Sequence, residues 1–270
     1  MQVDHISLTE RTKLLGRLGA REEEPSVRHL AFLQRAWLFA QPFHNLDLLA
    51  AHARGAAPLS PEESIQRCAA GLGGPCHVQS IAFLRLLRAL GFEAHLCGAR
   101  INHPDDHLLI HVLVEGRRFF CDVGNGQPYL LPFPADRALR QEHLGWVVWS
   151  RPEGRELLVE RASQDHPATR IVYRASAAPR TWSDFAGAIA RHHREPGFGP
   201  FLTGLRIVRM GPERMIAVRD DVCTRTEAGR FERQTMTLPE LARFVKHELA
   251  LDALPVDEAI AAFRASTGRA

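Results

Sequence analysis

The chain has 270 residues, of which 45% are hydrophobic and 24% charged. That length and balance suit one large domain or two to three small ones around a substantial core, and exclude a disordered regulator, a collagen-like fibre and a low-complexity scaffold. Its 34 basic and 31 acidic side chains leave a formal charge of +3, and no basic run concentrates it, so nucleic-acid binding is not expected.

The longest apolar stretches, such as residues 108–114, are far too short to span a bilayer. Residues 1–7 carry an early acid and no apolar run, which argues against a signal peptide and for a soluble, cytoplasmic protein with no membrane partner. Lys stands only at Lys13 and Lys246. So strong a bias to Arg reflects either base composition or a use for guanidinium forks on phosphates and carboxylates. The five cysteines, Cys68, Cys76, Cys97, Cys121 and Cys223, are odd in number and form no CxxC pair. They read as free thiols in a reducing compartment, with neither a disulfide framework nor a metal site.

Residues 8 to about 90 follow a helical pattern. Thr9-Glu10-Arg11-Thr12-Lys13 begins an amphipathic segment, and the run from Ser26 to Leu38 places apolar residues at i, i+3 and i+4. Ser60-Pro61-Glu62-Glu63 is a helix start, with Ser as cap, Pro at the first position and Glu three residues beyond the cap. Gly71-Leu72-Gly73-Gly74-Pro75 breaks the chain, and a second helix runs from Cys76 to Leu90 before Gly91 closes it. The period then changes from 3.6 to 2. Strands are expected at 92–101, 107–114 and 117–122, the last two joined by Glu115-Gly116 as a tight hairpin. Further strands are expected at 157–161, 170–173, 205–210, 214–220 and 231–236, followed by helices at 238–251 and 256–266.

Cys76 is the most informative residue. A thiol that opens a helix meets unpaired N–H groups and the positive end of the helix dipole, which favour an anionic sulfur, and the glycines before it allow a sharp turn and close approach of a substrate. A nucleophilic cysteine needs a base and a group to orient that base. Pairing across Glu115-Gly116 puts Asp122 opposite Leu109, so His107 and His111 both share the face of Asp122 at diagonal positions. Strand geometry leaves both histidines open.

These residues resemble the arylamine N-acetyltransferases. The family's order is a cysteine after a double glycine, a histidine on a strand and a DVGFG-type turn bearing an aspartate. Here it stands as Gly73-Gly74-Pro75-Cys76, His107-Leu108-Leu109-Ile110 and Asp122-Val123-Gly124-Asn125-Gly126. Gln41-Pro42-Phe43-His44-Asn45-Leu46-Asp47 is similar to the family's PFEN-L segment, and Gly91 to Arg100 to the strand before the histidine. The resemblance covers residues 10 to about 135 well and fades beyond.

The resemblance implies a catalytic triad of Cys76, His107 and Asp122, choosing His107 over His111. It implies an α+β fold, with a helical bundle at 1–91 carrying the nucleophile, a β-barrel-like domain at 92–200 carrying the histidine and aspartate, and an α/β lid at 201–270. It implies an acyltransferase that holds no permanent cofactor and takes acetyl-CoA or another acyl-CoA as cosubstrate, with a small-molecule amine as acceptor. Gly124 and Gly126 match positions near the coenzyme, and Phe43 and Asn125 would line the acceptor pocket. The chain departs from the family at Leu72, Val78, Ser80 and His44, where the family has Arg, Glu, Asn and Glu, and at Asn125, where it has Phe. Removing one member of a buried ion pair costs about 3–5 kcal/mol, so joint loss of the Arg and Glu reads as coordinated repacking.

Two alternatives share the Cys-His-Asp order. One is an amide synthase of the same fold that takes a longer acyl chain from an acyl carrier protein, for which Asn125 and an altered segment at 191–196 would be natural. The other is a papain- or transglutaminase-like hydrolase. Among lesser signals, His192-His193 reads as a solvated loop, Asp105-Asp106 as a turn into the strand, and Trp146-Val147-Val148-Trp149 as core.

Overall fold

The computed structural model describes residues 6–163, 168–227 and 229–267. The signal-peptide reading rests mainly on residues 1–5, which lie outside them. Five helices come first: α1 (Leu8–Leu18), α2 (Val27–Ala40), α3 (Leu46–Arg54), α4 (Pro61–Ala69) and α5 (Cys76–Ala89), with a two-residue strand β1 (Phe43–His44) between α2 and α3. The capping signals work as read. Ser60 Oγ accepts from Glu63 N–H and Glu63 reaches back to Ser60 N–H, with Pro61 at the first position of α4.

Eight strands then form a nearly closed, barrel-like antiparallel sheet. They are β2 (Glu93–Arg100), β3 (His107–Val114), β4 (Arg117–Cys121), β5 (Phe133–Pro134), β6 (Leu139–His143), β7 (Trp146–Glu153), β8 (Glu156–Ala162) and β9 (Arg170–Ser176). Their spatial order is β5-β4-β3-β2-β9-β8-β7-β6. Glu115 and Gly116 turn at φ 52° and 69°, the two positive values that a two-residue hairpin loop requires. The last pair of that hairpin is Ile110 with Cys121, so the next step sets Leu109 against Asp122 as the turn predicts. α5 packs its apolar side on β2 and β3, and Ser80 Oγ donates to Leu108 carbonyl at 3.0 Å.

After a 3-10 turn (Trp182–Phe185) come α6 (Ala186–Arg194), β10 (Arg206–Met210), β11 (Arg214–Arg219), β12 (Val222–Glu227), β13 (Arg230–Thr235), α7 (Leu238–His247) and α8 (Val256–Thr267). β10 to β13 form a second antiparallel sheet, and β1 pairs with its edge, Phe43 opposite Val208. A separate core joins Leu46 and Leu49 of α3 to Ile207, Ile216, Leu241, Val245 and Phe263. The early strand β1 thus carries Phe43 onto a late sheet.

Several expectations need correction. His192 and His193 do not lie in a solvated loop; they sit in α6 and are buried, because α6 lays them against β3's entry loop and α3, where His192 Nε2 meets Asp106 carbonyl at 3.1 Å and His52 meets His193 carbonyl. α7 ends at His247 instead of running to 251, since Ala250 takes a left-handed φ of 51°. β6 and β12 carry too few apolar residues to be read from alternation, and their partner strands fix them. The apolar run at 146–149 belongs to β7, with Val148 buried in the core.

The turn before α5 is held by a buried side chain. Gly73 has φ 62° and lies so close to Pro42 that an added Cβ would sit 1.9 Å from the Pro42 carbonyl oxygen. Gln79 accepts from Trp37 Nε1 at 3.0 Å and donates to the Gly74 and Pro42 carbonyls at 2.7 and 3.3 Å. Gln79→Ala would leave a buried indole N–H and a buried carbonyl unpaired, each at a cost of about 1–3 kcal/mol. We expect urea unfolding followed by tryptophan fluorescence to show a loss of about 2–4 kcal/mol; a loss below about 1 kcal/mol would mean that this glutamine does not hold the turn.

Candidate active site

Three chain segments converge at the start of α5. Cys76 is its first residue and is buried. His107 opens β3, and Asp122 follows β4 directly, fully buried. His107 Nε2 and Asp122 Oδ2 are 2.9 Å apart, and Asp122 Oδ1 accepts from Gly124 N–H at 3.1 Å. Burial by itself would lower the His107 pKa. The Asp122 charge and hydrogen bond, with a further hydrogen bond to Cys76, outweigh it and push the imidazole up to about 10.

The structure brings Asp122 to His107 and not to His111. His111 instead packs 4.8 Å from the His95 ring and edge-on to Phe120 at 5.2 Å. Burial and then the charge of His95 lower its pKa to about 4. The other thiols, Cys68, Cys97, Cys121 and Cys223, are buried, and burial pushes each of them up.

The turn after Asp122 closes the site. A Cβ on Gly124 would come 2.5 Å from Cys76 Cα, and one on Gly126 would come 2.8 Å from the Phe43 ring, so both positions demand glycine for space. Asn125 Nδ2 lies 3.5 Å from His107 Nε2. Cys76, His107, Gly124, Asn125, Gly126 and Phe43 all line one cleft of about 560 Å³, whose far wall is the β10–β13 sheet together with Phe198 and Phe201. Among the described residues no group of three or more His, Cys, Asp or Glu is arranged to hold a metal ion, and no helix is long and apolar enough to cross a membrane.

Comparison with known proteins identifies the family and the fold. The sequence model of the N-acetyltransferase family matches residues 26–255. The chain belongs to the arylamine N-acetyltransferase family. The match runs well past residue 135, so the likeness extends into the second sheet. Arylamine N-acetyltransferase from Salmonella typhimurium is similar in structure with a TM-score of 0.82 at 21% identity, covering 97% of this chain and 100% of that one. The enzyme from Mycobacterium abscessus gives 0.81 at 18%, covering 94% and 93%. The Mycobacterium marinum enzyme in complex with CoA gives 0.80 at 18%, covering 95% and 99%. At these identities the structures show the fold, and the family model shows membership. No curated protein matches the sequence. The family and fold are those of arylamine N-acetyltransferases, which are acyltransferases.

Two of the departures from the family pattern, His44 and Leu72, meet in space. His44 Nδ1 accepts from Leu46 N–H, which leaves Nε2–H to donate to Leu72 carbonyl at 2.7 Å. Burial holds His44 in this neutral form by lowering its pKa, against the pull of Asp47. A neutral, fully bonded His44 and an apolar Leu72 stand where the resemblance implies charged residues. Val78 fills the core beneath Gly74.

Sequence reasoning missed several neighbours. Both tyrosines of the chain are buried near Asp122: Tyr173 lies 5.4 Å from the His107 ring and Tyr129 stands edge-on to Tyr173 at 6.3 Å. Burial and then the Asp122 charge push both phenols well above their usual range. Asp106 caps the loop before His107, accepting from the backbone N–H groups of Ile101, Asn102 and His103. Proximity to the DVG turn could have marked Tyr129; nothing in the local pattern marked Tyr173.

The His107 shift has a pH signature. Its folded pKa of about 10 lies above the ordinary 6.5, so its stabilisation is complete below pH 6.5 and is lost as pH rises through about 10. The melting temperature of wild type relative to His107→Gln should therefore exceed it most at pH 6 and converge toward it between pH 7 and 10. A difference that is flat, or that grows with pH, would contradict the charged His107–Asp122 pair.

Proposed function

We propose that the protein is an N-acyltransferase that moves an acetyl or other acyl group from acyl-CoA to an amine through a thioester on Cys76. The observation that carries this reading is the buried 2.9 Å pairing of His107 with Asp122 beside a helix-opening cysteine, with Cys76 and His107 both lining one cleft. With Nε2 committed to Asp122, the other ring nitrogen holds the proton given up by Cys76. Asp122 fixes the tautomer and stabilises the imidazolium. The sulfur attacks the thioester carbonyl, the tetrahedral oxyanion meets unpaired N–H groups at the start of α5, and CoA thiolate leaves with the proton from His107.

An amine then attacks the acyl-enzyme, gives its proton to His107, and departs as the amide when the Cys76–acyl bond breaks. The two half-reactions give ping-pong kinetics. The CoA complex of the Mycobacterium marinum enzyme supports CoA as donor for this fold, and Gly124 and Gly126 are the positions assigned here to the coenzyme's approach. Phe43 and Asn125 are assigned to the acceptor pocket. The domain roles carry over as an N-terminal helical region that supplies Cys76, a barrel that supplies His107 and Asp122, and a C-terminal sheet that covers the cleft. A cleft of about 560 Å³ also has room for acyl groups longer than acetyl, which is what an amide synthase of this fold would use.

Intact-protein mass after mixing with acetyl-CoA, with longer acyl-CoAs and with no donor tests the reading. We expect addition of one acyl group, absent in Cys76→Ala and discharged by an added amine. The chain length that loads fastest identifies the donor. No adduct from any CoA donor would overturn the acyl-CoA reading and leave a carrier-protein donor or a hydrolase.

A further inference from the structure

His107 is the first residue of β3, and residues 101–106 form the loop that joins β2 to it. Across the sheet His107 pairs with Ala99; on its N-terminal side the chain reaches it through this loop. Asp105 takes a left-handed φ of 55° there, an uncommon state for a residue with a side chain. The path of the loop therefore depends on the bonds that hold it.

Asp106, the residue directly before the base, engages every polar atom it has. Its carboxylate is buried and accepts from three backbone N–H groups of the loop, those of Ile101 at 2.8 Å and of Asn102 and His103 at 2.9 Å each. Bonds of this charge-assisted kind are stronger than those between neutral groups. Its own N–H donates to the His103 carbonyl at 3.3 Å, and its carbonyl meets His192 Nε2 of α6 at 3.1 Å. A peptide unit is planar, so anchoring the Cα and carbonyl of Asp106 sets the place of the His107 Cα that shares their plane. The loop and α6 also hold one aromatic ring between them: His103 stacks on Phe198 and His192 stands edge-on to it, each with ring centres 4.7 Å apart. The neighbouring carboxylate serves the outside of the loop, where Asp105 pairs with the partly exposed Arg180 at 3.2 Å.

We propose that Asp106 is a positioning residue for acyl transfer: its carboxylate holds the start of β3 so that the His107 ring bridges Asp122 and Cys76. The inference rests on the acyl-transfer reading of the same site. The groups that set the charge of His107 are Asp122 and Cys76; Asp106 sets where the ring stands. A ring bonded to Asp122 at 2.9 Å and to Cys76 as well tolerates little displacement, and misplacing a reacting group by about 1 Å can cost about 10²-fold in rate.

Alkylation of Cys76 by iodoacetamide tests this without donor or acceptor, because the sulfur anion is the species that reacts. Peptide mapping by mass assigns the label, with Cys76→Ala as the blank. The wild-type rate should change by less than about threefold between pH 6 and pH 9, since a charged His107 sustains the anion. Asp106→Asn keeps the shape of the side chain but replaces one accepting oxygen by an NH2 group. Its rate at pH 6 should fall by about tenfold or more and climb with pH as for an ordinary thiol, and kcat for acetyl transfer should fall by a similar factor with KM for acetyl-CoA within about twofold of wild type. Asp106→Ser, which retains one accepting oxygen, should lie between the two. Asp105→Asn removes a charge one residue away, leaves the three bonds and tolerates the left-handed backbone; it should match wild type.

Asp106→Asn and Asp106→Ser proteins that melt lower yet keep the wild-type pH profile would overturn the proposal, confining the carboxylate to stability. So would an Asp105→Asn profile as altered as that of Asp106→Asn, which would make any lost charge in the loop sufficient. A wild-type rate that itself climbs with pH from 6 to 9 would overturn the charged His107 pair, and the proposal with it.

Discussion

A carboxylate with no solvent exposure must be compensated, and Asp122 is such a carboxylate. Its two oxygens are engaged by His107 and by the Gly124 amide. Taking away one member of such a pair leaves an uncompensated buried charge, at about 3–5 kcal/mol. That constraint fixes much of what surrounds it. β3 and β4 must pair so that residue 107 lies diagonal to residue 122. The chain after Asp122 must turn at once to present the Gly124 amide. Because that turn runs against Cys76 Cα, residue 124 has no room for a side chain.

The rest of the molecule brings distant chain segments to this pair. Helix α5 packs on β2 and β3, and Ser80 bonds the backbone of β3, so the start of the helix is registered against the start of the strand. Gln79 ties the preceding turn to α2 through Trp37. The second sheet borrows its edge strand from the N-terminal region, which delivers Phe43 to Gly126 and closes the cleft. Thus the cleft runs between the two sheets, with Cys76 in the first core and Ile207 and Val218 of the second core among its lining residues.

What was legible in the sequence was local. The Ser60–Glu63 capping box, the glycine break before Cys76 and the Glu115-Gly116 turn each act within a few residues, and each formed as read. The hairpin count placed Asp122 opposite Leu109 but left His107 and His111 equal, because diagonal neighbours on either side share a face. The twist of the sheet and the packing of His95 and Phe120 around His111 separate them in space, and the sequence held no sign of either. His192 and His193 were misread for the same reason. Their burial comes from α3 and the loop before β3, far away in the chain. Tyr173 sits on a barrel strand whose alternation is ordinary, and only closure of the sheet turns it toward the site.

The account stands on the charge state of one imidazole, and NMR titration of the His107 ring measures it directly. In wild type the ring should stay protonated up to about pH 10. In Asp122→Asn, with the attracting charge gone and burial left to act, its pKa should fall to 6.5 or below. A wild-type His107 that titrates at or below 6.5 and does not respond to Asp122→Asn would contradict the charged, buried pair from which the proposed chemistry follows.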